Sequence, residues 1–262
     1  MFRNLVFVFI VGAIALVSGC GGGGTPGPGT GSNNVQPGQY FEFFRSSGAW
    51  FDPLNLLLGD SGTVVLANYD SLGTRTLMTT SGWTTTSGGA VNIAATSGTT
   101  ASFTVIGTPA AEFKFQCFSV IAGVQTLFEQ RARTPLSTPV VTGRVVELGL
   151  FSGLPSNTGV PHVEVDFFNG AGTVVGSART MPNGTFSAIV PLTAVEAMLV
   201  TDTIKTSKYY RAIFYLSDYY SPLDVNCRIA LDALINGVNP MPGSMALPQV
   251  AGGPPPPPTG CP

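Results

Sequence analysis

Few side chains in this sequence could do acid–base chemistry at neutral pH, and they sit close together. The chain has a single histidine, His162, standing two residues before Glu164 and four before Asp166. Successive side chains on a strand alternate between faces. If 159–168 is a strand, His162, Glu164 and Asp166 therefore share one face, and Val163, Val165 and Phe167 share the other. That face could hold an acid–base pair, a cation, or the His–carboxylate part of a Ser-His-Asp arrangement. No Gly-x-Ser-x-Gly elbow, phosphate-binding loop or dinucleotide fingerprint accompanies it. Charged residues alternating with apolar ones ordinarily face water, so the expectation is a solvated face and no catalytic residue. Asp202, Asp218 and Asp224 fall near strand ends, where some β-sandwiches hold calcium. No Asp-x-Asp-x-Asp-Gly loop is present, and no metal or cofactor is expected. Tyr209-Tyr210, Tyr215, Tyr219-Tyr220 and Trp50-Phe51 could stack on sugars, although alternate members of a β run must point inward.

The elements that would position these groups follow an N-terminal segment of a different kind. Arg3 supplies a positive start, and residues 5–16 supply a hydrophobic core of signal-peptide length. That is short of the ~20 apolar residues needed to cross ~30 Å of hydrocarbon. The run ends in Leu16-Val17-Ser18-Gly19-Cys20, directly before glycines 21–24. These residues resemble the lipobox of bacterial lipoprotein signals. The resemblance implies a signal peptide at 1–19, lipidation of Cys20, and an extracytoplasmic chain anchored to a membrane of the bacterial cell envelope. Each buried CH₂ contributes ~0.8 kcal/mol, so two or three acyl chains make a durable anchor. Residues 20–38, rich in Gly and Pro, lack the apolar side chains that would offset ordering entropy. They read as a flexible tether with a mean reach of ~25 Å.

Composition agrees with an extracytoplasmic, β-rich protein: 33 Gly and 21 Pro, with 10% charged residues. Twelve Lys and Arg against fourteen Asp and Glu, without a basic run, leave no electrostatic footprint for nucleic acid. Of the four cysteines, Cys20 is assigned to lipid by the resemblance. Cys117 shares a strand face with Phe113 and Phe115, which predicts a buried, inert thiol. Cys227 and Cys261 are then the candidate disulfide pair. Their bridge would close a loop of about 35 residues and contribute ~3–4 kcal/mol, provided the chain turns back before the stiff prolines 254–258. No cysteine or histidine spacing suits zinc.

The rest of the chain reads as all-β, two tandem β-sandwich domains at 39–135 and 138–249, followed by a Pro-rich tail at 250–262. In the first, β-forming runs at 40–44, 63–68, 74–79, 90–95, 101–106, 112–121 and 124–130 are separated by turn residues, and seven strands at this spacing suggest a sandwich. Ala122-Gly123 is the clearest hairpin turn, and Trp83 is the expected core plug. The residues Gly59-Asp60-Ser61-Gly62-Thr63-Val64, the tryptophan strand, and the run 101–109 before the last hairpin are similar to a bacterial Ig-like domain. That resemblance implies a sandwich without the antibody-type cysteine pair.

Prolines 135 and 139 favour an extended link. Beyond it come a strand at 140–146, the run 159–168, Asn169-Gly170, a strand at 172–180, and Pro182-Asn183-Gly184 leading into 185–191. Both Asn-Gly pairs predict hairpin turns. This meander resembles the carboxypeptidase regulatory-like domain, a transthyretin-like sandwich with a Gly-x-Val opening strand, a Gly-Val/Ala-x-Val strand and an Asp-Gly-x-Phe turn. Asn183-Gly184-Thr185-Phe186 stands in place of that turn. Further on, 192–199 reads as a short helix, 208–216 and 226–231 as strands, and 245–247 as an edge strand. Both resemblances are to accessory modules without a catalytic centre. They imply a non-enzymatic structural, display or protein-interaction role at the cell surface, its partners being the membrane through Cys20 and other envelope proteins or glycans. The alternative is a lipoprotein that binds a carbohydrate or other small molecule.

Overall fold

The computed structural model describes residues 35–108, 112–135, 139–148, 155–205, 208–210, 213–216 and 228–250. Cys20, Cys227, Cys261, Asp218, Asp224, Tyr219, Tyr220, residues 20–34 of the tether and residues 251–262 of the Pro-rich tail lie outside the described residues. The last residues of the expected flexible tether are instead packed: Val35 and Gln36 are buried and Gly38 opens the first strand, because the second half covers them. Those described are all-β: eighteen strands and two short 3-10 turns, with no α-helix among them. No described helix is long and apolar enough to cross a membrane.

The first half places β1 (Gly38–Arg45), β2 (Ser61–Tyr69), β3 (Arg75–Leu77), β5 (Val91–Ala95) and β6 (Thr100–Val105) in one antiparallel sheet. A second sheet holds β4 (Thr80–Thr85), β7 (Phe113–Ile121) and β8 (Val124–Ala132). Residues 74–79, expected as one strand, instead hold β3 and a crossing. Arg75–Leu77 pairs with β2, and the chain then changes sheets so that Thr80 meets Ser119 of β7. Phe43, Phe103 and Phe115 meet edge-to-face between the sheets, with ring centroids 4.9–5.9 Å apart. Trp83 packs at the margin of this core against Phe41, so the plug is built of phenylalanines. Cys117 is fully buried beside Phe113 and Phe115, as the alternation requires, and burial pushes its thiol pKa up to about 12. The Ala122-Gly123 turn has positive φ at both residues (49° and 82°), the type I′ geometry that suits a two-residue hairpin.

The second half is built on β9 (Val140–Leu148), the best-connected strand. On one side it pairs with β10 (Pro155–Gly159) and β13 (Thr185–Ile189), both antiparallel. On the other it pairs in parallel with β17 (Val238–Pro240) and β18 (Ser244–Pro248). β18 is therefore internal, because β15 (Phe214–Leu216) covers its outer side. The facing sheet runs β12 (Val174–Arg179), β11 (Glu164–Asn169), β14 (Ala194–Leu199), β16 (Ile229–Ala230). The expected helix at 192–199 is β14: its pairing on both sides overrides the helical preference of Ala, Glu, Met and Leu. Neither Asn-Gly pair forms a two-residue turn. In each, the asparagine Oδ1 accepts backbone N–H groups ahead of it, and the positive φ falls on Gly172 and on Gly184.

The two halves share a buried junction. All of Tyr40–Phe44 is buried, and so is Glu164–Phe168. On β1, Phe41 and Phe43 enter the first core while Tyr40, Glu42 and Phe44 do not. On β11, Val165 and Phe167 enter the second core while Glu164 and Asp166 face the first half. A strand covered on both faces loses the in/out alternation of burial that a solvated sheet shows.

Candidate functional site

The expected strand at 159–168 begins only at Glu164, so Glu164 and Asp166 share a face while His162 stands outside the strand, and none of the three is solvated. Their exposures are 3% for His162, 5% for Glu164 and 8% for Asp166, because the other half covers them. Glu164 accepts from Gln130 Nε2 at 2.8 Å and from Arg131 NH1 at 3.0 Å, both on β8. Asp166 accepts from Ser177 Oγ at 2.6 Å and from Arg131 NH2 at 3.2 Å. Burial raises the Glu164 pKa, against the pull of Arg131 and Arg179. The carboxylates thus hold the halves together, through Gln130 and Arg131 from across the junction.

His162 precedes the strand in a left-handed conformation (φ 63°), an uncommon state for a residue with a Cβ. Its ring stacks on Tyr40 at 4.5 Å and lies 5.1 Å from Trp50 and 6.0 Å from Tyr69. Burial, reinforced by the nearby Arg179 and Arg75 charges, holds its pKa well below 6.5. Below pH 6.5 the unfolded chain takes up a proton that the folded ring refuses, so this histidine's contribution to stability is lost as pH falls. Comparing wild type with His162→Asn, which suits positive φ, isolates the effect. The wild-type advantage in unfolding free energy should shrink by about 2 kcal/mol between pH 7.5 and pH 5. Denaturant melts across this range check it, and a constant difference would mean that the ring is protonated when folded.

Asp52 works in the opposite sense. It caps the 3-10 turn Pro53–Asn55 through Leu54 N (2.9 Å), and its Oδ2 accepts from Asn55 Nδ2 (2.7 Å) and Arg179 N (3.1 Å). Burial raises its pKa from 3.8 to about 6, so its contribution to stability falls as pH rises through that window. Asn55 continues the seam, accepting from Ile189 N at 2.8 Å and donating to Ser177 O at 3.2 Å.

Arg179 stands at the centre. It is fully buried, and its NH1 donates to Phe41 O at 2.7 Å, capping a carbonyl on the outer edge of β1. Glu164, Asp52 and Glu42 surround it electrostatically. Glu42 is itself buried between Arg75 (Nε 2.8 Å) and the Tyr69 hydroxyl (2.5 Å).

Beside this seam the halves leave a cleft of about 850 Å³, lined by Trp50, Phe51 and Arg45 of the first half and by Arg144, Phe186 and Met241 of the second, among others. Gly143 lies in its wall, where a Cβ would come within 2.4 Å of the Phe186 ring. Among the described residues the tyrosines do not form an exposed row. Tyr209 is buried and donates to Glu147 Oε1 at 2.5 Å, and the Tyr215 hydroxyl accepts from Gly243 N at 3.0 Å. Asp202 lies in the 3-10 turn Thr201–Thr203. Among the described residues no group of three His, Cys, Asp or Glu side chains could hold a metal ion. Reasoning from sequence missed Arg179, Asp52 and Glu42. The available signal was scarcity: with 10% charged residues, an arginine or carboxylate inside a β run is more often committed to a specific partner. No family model matches this chain, and no curated protein or solved structure does.

Proposed function

We propose that this chain is a lipoprotein of the bacterial cell envelope, anchored through Cys20, and that it acts without catalysis as a structural, display or protein-interaction module. The reading rests on the lipobox-like start, on the resemblances to Ig-like and carboxypeptidase regulatory-like modules, and above all on the buried junction. The titratable groups suited to acid–base chemistry, His162, Glu164 and Asp166, are committed to joining two β units. A unit joined by buried hydrogen bonds and ion pairs presents its loops in a fixed relative orientation, which suits a role made of contacts. Cys20→Ala removes the acylated thiol and should shift the protein from the membrane fraction to unprocessed precursor or released material. A correctly cleaved product that still partitions with membranes would reject the anchor. Crosslinking of intact cells should join the wild type to another envelope component, and crosslinks only within the chain would reject the contact role. The alternative reading, a ligand-binding lipoprotein, is favoured by one observation, the junction cleft, whose volume suits a small organic molecule.

A further inference from the structure

Four large exposed apolar side chains of the first half gather on one hairpin: Val120 (64% exposed), Ile121, Val124 (65%) and Leu127 of β7 and β8. Across it Ile121 faces Val124, and Phe118 faces Leu127. No charged residue occurs between Lys114 and Glu129, and those two pair with each other at 2.6 Å. At ~3.4 Å per residue, the steps from Val124 to Glu129 leave a charge-free tip roughly 17 Å long. The hairpin points toward the end of the sandwich at which the chain enters it. Phe115 meets Phe43, with ring centroids 4.9 Å apart. Farther along β7, Ser119 pairs with Thr80, and Met78 just before it donates its N–H to Leu66 O, level with Phe41. β7 therefore runs beside β1 from Phe43 back toward Gly38, and the 121–124 turn lies beyond. The 70–74 turn is at the same end, because Tyr69 pairs with both Gly38 and Arg75. Its tip is Leu72, 79% exposed, and its one charge, Asp70, accepts from the Leu72 and Thr74 N–H groups. Here too the described chain begins: Val35 packs on Tyr40, Ala67 and Tyr69, fifteen residues after Cys20. A chain of that length spans at most ~50 Å fully extended. An acyl group on Cys20 thus brings this end of the sandwich to the bilayer in preference to the opposite one.

We propose that this end of the first sandwich is a lipid-contact surface, at which the β7–β8 tip and Leu72 enter the outer acyl layer of the membrane that holds the anchor. This rests on the lipid-anchor reading above and adds a second point of attachment, which fixes which face of the protein looks outward. Single exposed apolar residues need no account, but several on one charge-free protrusion do. A protruding tip offers no groove to a peptide and suits a medium that closes around it. Interfacial elements bury their apolar face ~5–10 Å deep, well within the charge-free length. The turn is only Ala122-Gly123, and ladder pairing continues up to Ile121 and Val124, so few backbone groups enter without partners. A second copy of the chain is a poorer occupant, because two convex tips bring together far fewer than the roughly 20–30 residues a side of a stable interface.

The test places a tryptophan reporter at the tip, Val124→Trp, in the full-length chain purified in detergent and reconstituted into vesicles of phosphatidylethanolamine and phosphatidylglycerol. Acyl chains brominated near the headgroups should quench its emission by about half, and chains brominated at the bilayer centre should quench it less, as shallow entry requires. Leu58→Trp is the control. Leu58 is as exposed (64%) but lies in the loop at the opposite end, where Leu56 N–H donates to Arg133 O. Its quenching should not exceed that of the wild type, whose Trp50 and Trp83 set the background. Val120→Asp added to Val124→Trp should remove the quenching with an unchanged melting temperature. The intact mass of each preparation reads acylation of Cys20 separately. An unquenched Val124→Trp overturns the lipid contact, and an acyl mass in that preparation shows the anchor standing without it. Quenching in a preparation that lacks the acyl mass rejects the anchor and upholds the contact. Equal quenching of Leu58→Trp would overturn the assignment of this end. An emission blue shift of Val124→Trp that needs no vesicles and grows with protein concentration would assign the tip to contact between copies and overturn the lipid partner.

Discussion

Arg179→Met should lower the melting temperature by about 10 °C, the largest effect expected of any side-chain truncation in the junction. The arginine is fully buried. Methionine keeps much of its volume but none of its charge or hydrogen bonds. Phe41 O then loses its donor at a sheet edge, and Glu164, Asp52 and Glu42 lose the cation they surround. Removing one partner from a buried charge cluster typically costs about 3–5 kcal/mol, because the charges left behind remain desolvated. Lysine should restore only part of the loss, since its compact, strongly hydrated ammonium costs more to bury than the delocalised guanidinium. Arg45→Met supplies the control. Its ion pair with Asp60 is half exposed, and exposed pairs contribute about 0–1 kcal/mol. Equal melting temperatures for the two variants would mean that Arg179 does not hold the junction.

Gly159→Ala should cost about 3 kcal/mol or more, and in poor conditions prevent folding of the second half. A Cβ at Gly159 would stand 1.9 Å from Asn183 O and 2.5 Å from Gly184 N. These are backbone atoms, so no side chain can turn aside to make room. Gly184 is tight in the reverse direction: its Cβ would lie 2.3 Å from Val145 O, at a φ of +77° that already favours glycine. The end of β10, the turn before β13 and the middle of β9 thus meet where only hydrogen atoms fit between them. Gly170→Ala is the neutral comparison, with nothing within 4 Å of the new methyl group, and should fall within about 0.5 kcal/mol of wild type. Circular dichroism melts of the two variants check both expectations. Gly159→Ala as stable as Gly170→Ala would show that the three segments can separate without cost.

Most strands of the first half were legible in the sequence because period-2 alternation and turn residues agree there; the exception is 74–85, where the chain changes sheets and no local pattern marks the crossing. The buried Cys117 follows from the same rule. In the second half the rule identified faces but could not identify their cover. Glu164 and Asp166 do lie opposite Val165 and Phe167, yet alternation describes a solvated strand and a strand under another sheet in the same letters. What decides is the other half of the chain: Gln130 and Arg131 of β8 cover Glu164 and Asp166, and Tyr40 and Trp50, more than 110 residues earlier, cover His162. The helix expected at 192–199 failed for a related reason. Good helix formers occupy β14, and pairing with β11 and β16 outweighs their preference. The cleft was invisible because its walls come from segments spread between residues 45 and 244. No local pattern joins them.

The wiring of β9 bears on how this chain reaches its folded state after synthesis. Val140 lies beside Val238 and Val145 beside Met245, in parallel register. The central strand of the second sheet therefore waits for partners about a hundred residues downstream, and closing such loops is the slow step for folds dominated by distant contacts. Until those last strands have been synthesised, β9 must stay unpaired on that side. For that interval it offers an open edge, Val140-Val141-Thr142-Gly143-Arg144-Val145-Val146, to any neighbouring chain in the same state. Arg144 is the one charge in that run, and a single charge facing outward is the kind of gatekeeper that discourages two such edges from joining.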